Sequence, residues 1–144
     1  MTVRDRQIVQ WVSVSRLATR VQLQQMFFSA GARSRCQRRL TLLYRNRYLD
    51  KLPGRLVNEP DVYHVSGRCV RGLRLLRTLS PGDAVGPRLI RPGLVPHTLD
   101  VASCRVAIVR ACQPSGHQLC LWAGEQHLAS RVQPLGLLPE NWST

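Results

Sequence analysis

The sequence predicts an α+β fold, mainly α: a winged helix-turn-helix domain followed by a small helix-strand extension. Before residue 47, apolar residues recur three times at helical spacing, and strict alternation then takes over, which is typical of a β-hairpin. A stretch rich in proline and glycine over residues 80–96 predicts a linker. We therefore expect a winged helix-turn-helix domain over residues 1–79, that linker, and a small α/β extension over residues 97–144.

Two capping boxes mark the beginnings of the first two predicted helices. In each, a threonine stands three residues before a carboxylate or an amide, so that the two residues can exchange side-chain and backbone hydrogen bonds. The pairs are Thr2 with Asp5, and Thr19 with Gln22. They predict helices over about residues 3–14 and 20–28, whose inward residues at helical spacing are Ile8, Trp11, Val12, Leu23, Met26 and Phe27.

The third predicted helix, over about residues 34–46, separates apolar from basic residues. Ser34 is expected to be its N-cap. Its inner face carries Cys36, Leu40 and Leu43, at i, i+4 and i+7. Its outer face carries Arg35, Arg38, Arg39, Arg45 and Asn46.

The rest of the first domain is predicted as a hairpin and a fourth helix. Alternation over residues 48–52 and a β-prone run over residues 62–65 predict a hairpin of about residues 48–65. The fourth helix is expected over about residues 68–79, with an inner face of Cys69, Leu73, Leu76 and Leu79.

The extension is predicted to contain one helix and one strand. The helix, over residues 97–113, has an inner face of Leu99, Ala102, Val106 and Val109, and the strand covers residues 118–123. About 48 residues cannot enclose much core. We therefore expect the extension to pack on the first domain, to pack on a second copy, or to belong to a larger fold.

The charge of the chain lies almost entirely in its first half. There are 21 basic and 8 acidic side chains, which gives a net charge of +13, and all basic residues except Lys51 are arginines. Residues 1–79 carry 16 of the basic and 4 of the acidic side chains. Because a basic surface attracts polyanions and releases counterions on binding, double-stranded DNA is the expected partner.

The third helix is the predicted reader of DNA sequence. An α-helix fits the major groove, where the flat fork of an arginine can bind guanine and an amide can bind adenine. The beginning of the second helix is expected to meet phosphates, and Arg55 in the hairpin loop to touch the flanking DNA. The candidate DNA-binding residues are Thr19, Gln22, Arg33, Ser34, Arg35, Gln37, Arg38, Arg39, Arg45 and Arg55.

The sequence offers little for catalysis. Its five cysteines form no Cys-x-x-Cys pair, and Cys36, Cys69 and Cys104 fall on apolar faces, so we expect no metal site. No phosphate-binding loop and no nucleophile elbow occurs, and the acidic residues after residue 80 are scattered. We therefore expect no catalytic residues, no cofactor and no small-molecule substrate.

Localisation follows from the same composition. The longest apolar run has five residues, far below the roughly 20 that span a bilayer. Polar residues occupy positions 4–7, where a signal peptide would need apolar ones, and cysteines without an export signal are typical of reduced thiols. These features predict a cytoplasmic, nucleoid-associated protein without a membrane segment.

Several motifs across the chain are shared with one family. They are Val3-Arg-Asp-Arg-Gln-Ile8, Thr19-x-x-Gln22-Leu23, Met26-Phe-Phe28, Arg38-Arg-Leu-x-x-Leu-Tyr44, Tyr48-Leu49-Asp50, His97-Thr-Leu-Asp-Val101, Arg105-Val-Ala107, Trp122 and Glu125. With these motifs the chain resembles the replication-relaxation proteins of bacterial plasmids and mobile elements, which are implicated in plasmid replication and DNA relaxation. The resemblance implies a winged helix that binds DNA through positions 19–22 and 34–39.

The chain departs from that family in one residue and in one region. Arg47 stands where its members usually have glycine, so the end of the third helix is expected to differ. Longer members continue into a region that resembles a restriction endonuclease, and only its first step is matched here, by Leu138-Pro139-Glu140. The remaining strands and carboxylates of such a core are not matched, so the resemblance implies nothing firm about catalysis.

The resulting expectation is a non-enzymatic DNA-binding protein that acts in plasmid or mobile-element maintenance or in transcription control. A homodimer would suit a palindromic site. The first alternative is a protein-interaction subunit whose basic face docks on an acidic partner or a nucleoprotein assembly. The second is a truncated nuclease-like protein.

Overall fold

A computed structural model describes residues 1–52, 59–70, 91–119 and 122. Within these residues the chain is mainly helical and has one small antiparallel sheet. The elements in chain order are α1 (Val3–Ser15), β1 (Ala18–Thr19), α2 (Arg20–Phe27), α3 (Arg33–Arg45), β2 (Leu49–Lys51), β3 (Val62–Val65) and α4 (Val95–Cys112), and 3-10 turns cover Pro92–Leu94 and Gln113–Ser115.

Both predicted capping boxes are confirmed at the starts of α1 and α2. The hydroxyl of Thr2 accepts from the backbone N–H of Asp5 at 3.3 Å, and the Asp5 carboxylate accepts from the Thr2 N–H at 2.6 Å. Thr19 and Gln22 repeat this exchange at 3.2 and 2.8 Å. Because these bonds connect residues only three apart, the sequence could predict them.

The predicted hairpin is confirmed, and the structure adds a third strand to it. β3 pairs with β2 in the register Leu49 to Val65, and its other edge pairs with β1 in the register Ala18 to Tyr63. The order of the sheet is therefore β1-β3-β2. The sequence did not indicate β1, because a strand of two residues is too short to show alternation.

One core joins the sheet and the helices, including α4 of the predicted extension. The predicted inner faces of α1, α2 and α3 are confirmed, with Met26 and Phe27 partly buried at the margin. On α4, Ala102 and Val106 are buried, Leu99 and Val109 are partly buried, and Val106 belongs to the same core cluster as α1. Of the three expectations for the extension, this helix therefore follows the first and packs on the N-terminal elements.

The expected N-cap of α3 is wrong. The helix begins at Arg33, its N-cap is Ala32, and no side chain caps it. Gly31, at φ 79°, turns the chain, and the N–H of Ala32 donates to the carbonyl of Ser29 at 3.1 Å. This turn brings the chain into the helical direction before Ser34 is reached.

The expected start of the last helix is also wrong. α4 begins at Val95, so Pro96 belongs to the helix and not to the predicted linker. A proline is tolerated in the first turn of a helix because its missing N–H would have no partner there. Cys104 on α4 is exposed, so its predicted placement on an apolar face is wrong as well. Cys104 stands two residues from both Ala102 and Val106, and this interval places it on the side of the helix opposite to the buried one.

The remaining predictions fall partly outside the described residues. Residues 67–70 are helical, which fits the beginning of the predicted fourth helix, and its positions 71–79, the linker to residue 90 and Arg55 lie outside. The predicted strand over residues 118–123 is wrong at positions 118, 119 and 122, which are irregular. A strand needs a hydrogen-bonded neighbour, and no part of the described chain pairs with this segment.

Arg47 lies at the end of α3 in a conformation that favours glycine. Its φ is 59°, and the chain closes the helix with bonds from the N–H of Tyr48 to the Leu43 carbonyl and from its own N–H to the Tyr44 carbonyl. These are the two bonds of a Schellman motif, in which the left-handed residue is usually glycine. The helix therefore ends as a glycine-terminated helix would, with an arginine in the strained position.

We expect Arg47→Gly to stabilise the fold by about 0.5–1 kcal/mol. Relief of the left-handed strain exceeds the entropy that glycine adds to the unfolded chain, and the surface pair of Arg47 with Asp50, at 3.7 Å, contributes little. Denaturant unfolding should show a higher midpoint at an unchanged slope. The control is Arg38→Gly, the same exchange at an exposed position in the interior of the helix, which should destabilise by about 1 kcal/mol. A lower midpoint for Arg47→Gly would contradict the argument.

Candidate nucleic-acid interface

The outward face of α3 carries a row of exposed side chains that we call the α3 stripe. It consists of Arg35, Arg38, Leu42 and Arg45, which follow one another at intervals of three, four and three residues. These intervals keep all four on one side of a straight helix. The opposite side, with Cys36, Leu40 and Leu43, is buried in the core. Core packing therefore fixes the direction in which the stripe faces.

Three further predicted site residues are exposed at the beginning of the same helix. They are Arg33, Ser34 and Gln37. Within the described residues the Ser34 side chain makes no hydrogen bond, so its hydroxyl can bind another partner. The first N–H groups of a helix carry a partial positive charge, which adds to the field of the arginines beside them. The N-terminal end of α3, at Arg33, is thus the part of the helix that attracts an anion most strongly.

The arginines of the α3 stripe are not neutralised within the described part of the chain. None of Arg35, Arg38 and Arg45 pairs with a carboxylate there, and neither does Arg33. Of these four arginines, Arg35 donates from Nη2 to the Ser29 hydroxyl at 3.5 Å, a contact with a neutral group. Four cations along one helix therefore create an uncompensated positive surface, which attracts a polyanion.

Arg39 differs from its neighbours because it is engaged within the fold. Its guanidinium donates from Nε and Nη2 to the two carboxylate oxygens of Asp5, and from Nη2 to the Thr2 hydroxyl at 3.1 Å. Asp5 is almost completely buried, and the hydrogen bonds from Arg39 lower the pKa of its carboxyl group to about 2. Arg39 therefore connects α3 to α1, and its guanidinium already has partners that a base would have to replace.

Gln22 likewise has internal partners. It is 6% exposed, and besides its role in the capping box its Nε2 donates to the Leu99 carbonyl at 3.0 Å and to the Ser103 hydroxyl at 2.8 Å. These bonds attach α2 to α4. Thr19, the N-cap, is half-buried at the start of α2. The structure thus brings six of the predicted residues together on α3, separates Thr19, Gln22 and Arg39 from them, and does not describe Arg55.

Leu42 is part of the α3 stripe but was not among the predicted contacts. Its side chain is 41% exposed, although α3 has a buried face on which a leucine could lie. The prediction considered only polar residues as candidates. The spacing of Leu42, four residues after Arg38 and three before Arg45, is the sequence signal that could have identified it.

The described cysteines and acidic residues form no metal centre. Within residues 1–52, 59–70, 91–119 and 122, no group of three or more potential ligands lies together. Cys36, Cys69, Cys104 and Cys112 are free, and burial raises the pKa of the Cys36 and Cys69 thiols, so both remain protonated. Among the helices in these residues, none is both long enough and apolar enough to cross a membrane.

Comparison with known proteins identifies one relationship. The model of the replication-relaxation family matches residues 9–139, which is most of the chain. No curated protein and no solved structure matches it. The matched region contains the last part of α1, all of α2 to α4, and the α3 stripe.

Proposed function

This chain belongs to the replication-relaxation family, and we propose that it binds double-stranded DNA by placing α3 in the major groove. The observation that carries the proposal is the α3 stripe, in which three arginines without described carboxylate partners lie on one exposed face of a helix. A helix of this width fits the major groove, and arginine binds both guanine edges and phosphates with two parallel hydrogen bonds.

We interpret the N-terminal elements as a winged helix-turn-helix. Three features support this interpretation: α2 and α3 are joined by a short turn at Gly31, α3 packs on α1 through the Arg39–Asp5 pair, and the β2–β3 hairpin directly follows α3. In this arrangement α3 is the recognition helix and the hairpin is the wing beside it. Arg55, which stands between the two strands in the sequence and lies outside the described residues, would then contact DNA next to the groove.

The proposed contacts divide into readers, positioning groups and internal supports. Arg35, Gln37 and Arg38 are placed to reach base edges near the start of α3. Phosphates would be bound by Arg33, Ser34 and Arg45, and by Thr19 at the start of α2. Gln22 and Arg39 act through the fold, because their side chains hold α4 and α1 against the DNA-binding helices.

The biological role that we propose is maintenance of a plasmid or mobile element, or control of its transcription, by binding and not by catalysis. A homodimer would place two α3 helices on the two halves of a palindromic site, about one DNA turn apart. Selection of bound fragments from random duplex DNA would test this arrangement, because a dimer selects an inverted repeat and a monomer selects a single half-site.

Arg38→Ala is expected to weaken binding to the selected site by roughly tenfold if Arg38 contacts a base. A contact with phosphate alone would instead reduce the slope of log affinity against log salt by about one, with little change in sequence preference. Fluorescence anisotropy titrations at several salt concentrations distinguish the two. The matched control is Arg110→Ala, which removes the same charge from an exposed position on α4 and should change neither quantity by as much.

Competition separates DNA binding from the two other functions. Unlabelled duplex of the selected sequence should displace a labelled probe at far lower concentration than random duplex. Equal displacement by both duplexes, together with unchanged binding by Arg38→Ala, would reject α3 as the reader and favour an acidic protein partner. Cleavage of supercoiled plasmid that depends on a divalent metal ion would favour the nuclease alternative.

A further inference from the structure

We propose that Leu42 determines sequence specificity by contacting the methyl group of a thymine in the bound site. This inference rests on the proposed function, because it requires that α3 lies in the major groove. Leu42 is the apolar member of the α3 stripe, with Arg38 one turn before it and Arg45 one turn after it. Its side chain is 41% exposed.

The position of Leu42 between two arginines decides its surroundings in the complex. Because a helix of this length is straight on the scale of three turns, a residue between two DNA contacts on the same face must itself lie against the DNA. Leu42 would therefore leave water when Arg38 and Arg45 bind. A protein partner suited to Leu42 would have to be apolar at the centre and acidic on both sides, whereas the groove of DNA offers apolar base edges between two rows of phosphates.

The chemistry of the groove restricts what a leucine can recognise there. Leucine has no hydrogen-bond donor or acceptor in its side chain, so it cannot read the polar edges of guanine, adenine or cytosine. The C5-methyl of thymine is the apolar group that distinguishes one base from the others in the major groove. Contact between this methyl and Leu42 withdraws apolar surface from water on both sides.

The geometry also predicts where the thymine lies. Leu42 follows Arg38 by four residues, which corresponds to about 6 Å along the helix axis. Successive base pairs are about 3.4 Å apart. Because a recognition helix is inclined to the DNA axis, this distance is an upper bound, and the thymine should lie within about two base pairs of the base that Arg38 contacts.

The test replaces thymine by uracil, which removes only the methyl group. In the selected duplex, each thymine is replaced in turn, and affinities of the wild-type protein, Leu42→Ala and Ile108→Ala are measured by anisotropy. For the wild type we expect about a fourfold loss at one thymine, the loss typical of one methyl group returned to water. Leu42→Ala should show no loss at that position, and because alanine favours helix the fold should be retained.

Ile108→Ala is the matched control, because Ile108 is an equally exposed apolar residue of α4, at 42%. This variant should keep the fourfold difference between thymine and uracil. Sequence-specific binding by the wild type with no thymine sensitive to the exchange, or an unchanged sensitivity in Leu42→Ala, would overturn the role of Leu42 and leave the proposed function standing. The absence of duplex binding by the wild type would overturn both.

Discussion

Trp11→Ala is expected to lower the free energy of unfolding by about 3–5 kcal/mol, the largest effect that we predict. Trp11 is 8% exposed in the core, where its ring meets Phe27 edge-on at a centroid distance of 6.1 Å. The guanidinium of Arg105, on α4, stacks on it at 3.8 Å. The substitution therefore removes a large apolar side chain and a contact between α1 and α4 at once.

Arg105 is the other half of this contact. Besides stacking on Trp11, it lies 5.8 Å from the centroid of the Trp122 ring and donates to the Ser15 hydroxyl at 2.8 Å. Burial lowers the pKa of Arg105 to about 10, so the fold holds a partly desolvated cation there. The faces of aromatic rings attract such a cation, and the attraction grows when water is excluded. Arg105 thus holds α4 on α1 without a carboxylate partner in the described residues.

Denaturant unfolding followed by circular dichroism measures the effect. Arg105→Lys provides a milder variant should Trp11→Ala fail to fold: it keeps the charge but loses the flat stacking group, and we expect a loss of about 1 kcal/mol. Ile108→Ala on the same helix is exposed and should change stability by less than about 0.5 kcal/mol. If the free energies of unfolding of Trp11→Ala and Arg105→Lys both lay within about 0.5 kcal/mol of the wild-type value, the contact would not stabilise the packing of α4.

Asp5→Ala is expected to lower the free energy of unfolding by roughly 2–3 kcal/mol. The pKa of Asp5 falls from 3.8 to about 2 in the folded protein, chiefly because of its hydrogen bonds with Arg39. This shift corresponds to at most about 2 kcal/mol, since solvent at the 32% exposed side chain of Arg39 screens part of it. The capping bond from the Thr2 N–H contributes to this same pKa shift, and alanine additionally loses the part of the cap that does not depend on charge, up to about 1 kcal/mol.

The contribution of Asp5 has a defined pH dependence. Because its pKa is lower in the folded state, the stabilisation is complete above about pH 5, where the unfolded carboxyl is also ionised, and is lost progressively as the pH falls through 2. Asp5→Asn, which cannot ionise, should therefore be less stable than the wild type at pH 6, and the two should converge near pH 2. Asp50→Asn is the control, because Asp50 belongs to a surface pair at 3.7 Å and should have a small effect at every pH. A difference between Asp5→Asn and the wild type that did not change with pH would contradict the role of the charge.

The sequence predicted the structural features that depend on residues only a few positions apart. The capping boxes at Thr2 and Thr19 depend on residues three apart, and the inner face of α3 depends on a spacing of four and three. The hairpin was recognisable because alternation is visible along a single strand. The errors have the same origin: Ser34 has the right chemistry for an N-cap, but the turn at Gly31 starts the helix two residues too early for it.

The candidate site shows where such local patterns are insufficient. Arg38 and Arg39 are adjacent and chemically identical, and the sequence predicted the same role for both. Arg38 remains exposed, whereas Arg39 meets a carboxylate 34 positions away. Gln22 lies at the start of a helix, where the sequence predicted contact with DNA. Its amide instead donates to the Leu99 carbonyl of α4, more than 70 residues later in the chain.

The sequence alone determined that this chain is a basic protein of the replication-relaxation family, and it placed the first three helices, their buried faces and the paired strands β2 and β3 close to where the structure has them. Only the tertiary structure decided which of its arginines remain available to a partner. It also decided that the Leu42 side chain is exposed between Arg38 and Arg45. The reason is physical. Periodicity reports which side of an element leaves water, but a side chain's partner is chosen by packing between elements distant in sequence, and each ion pair formed in this way removes a cation from the binding surface.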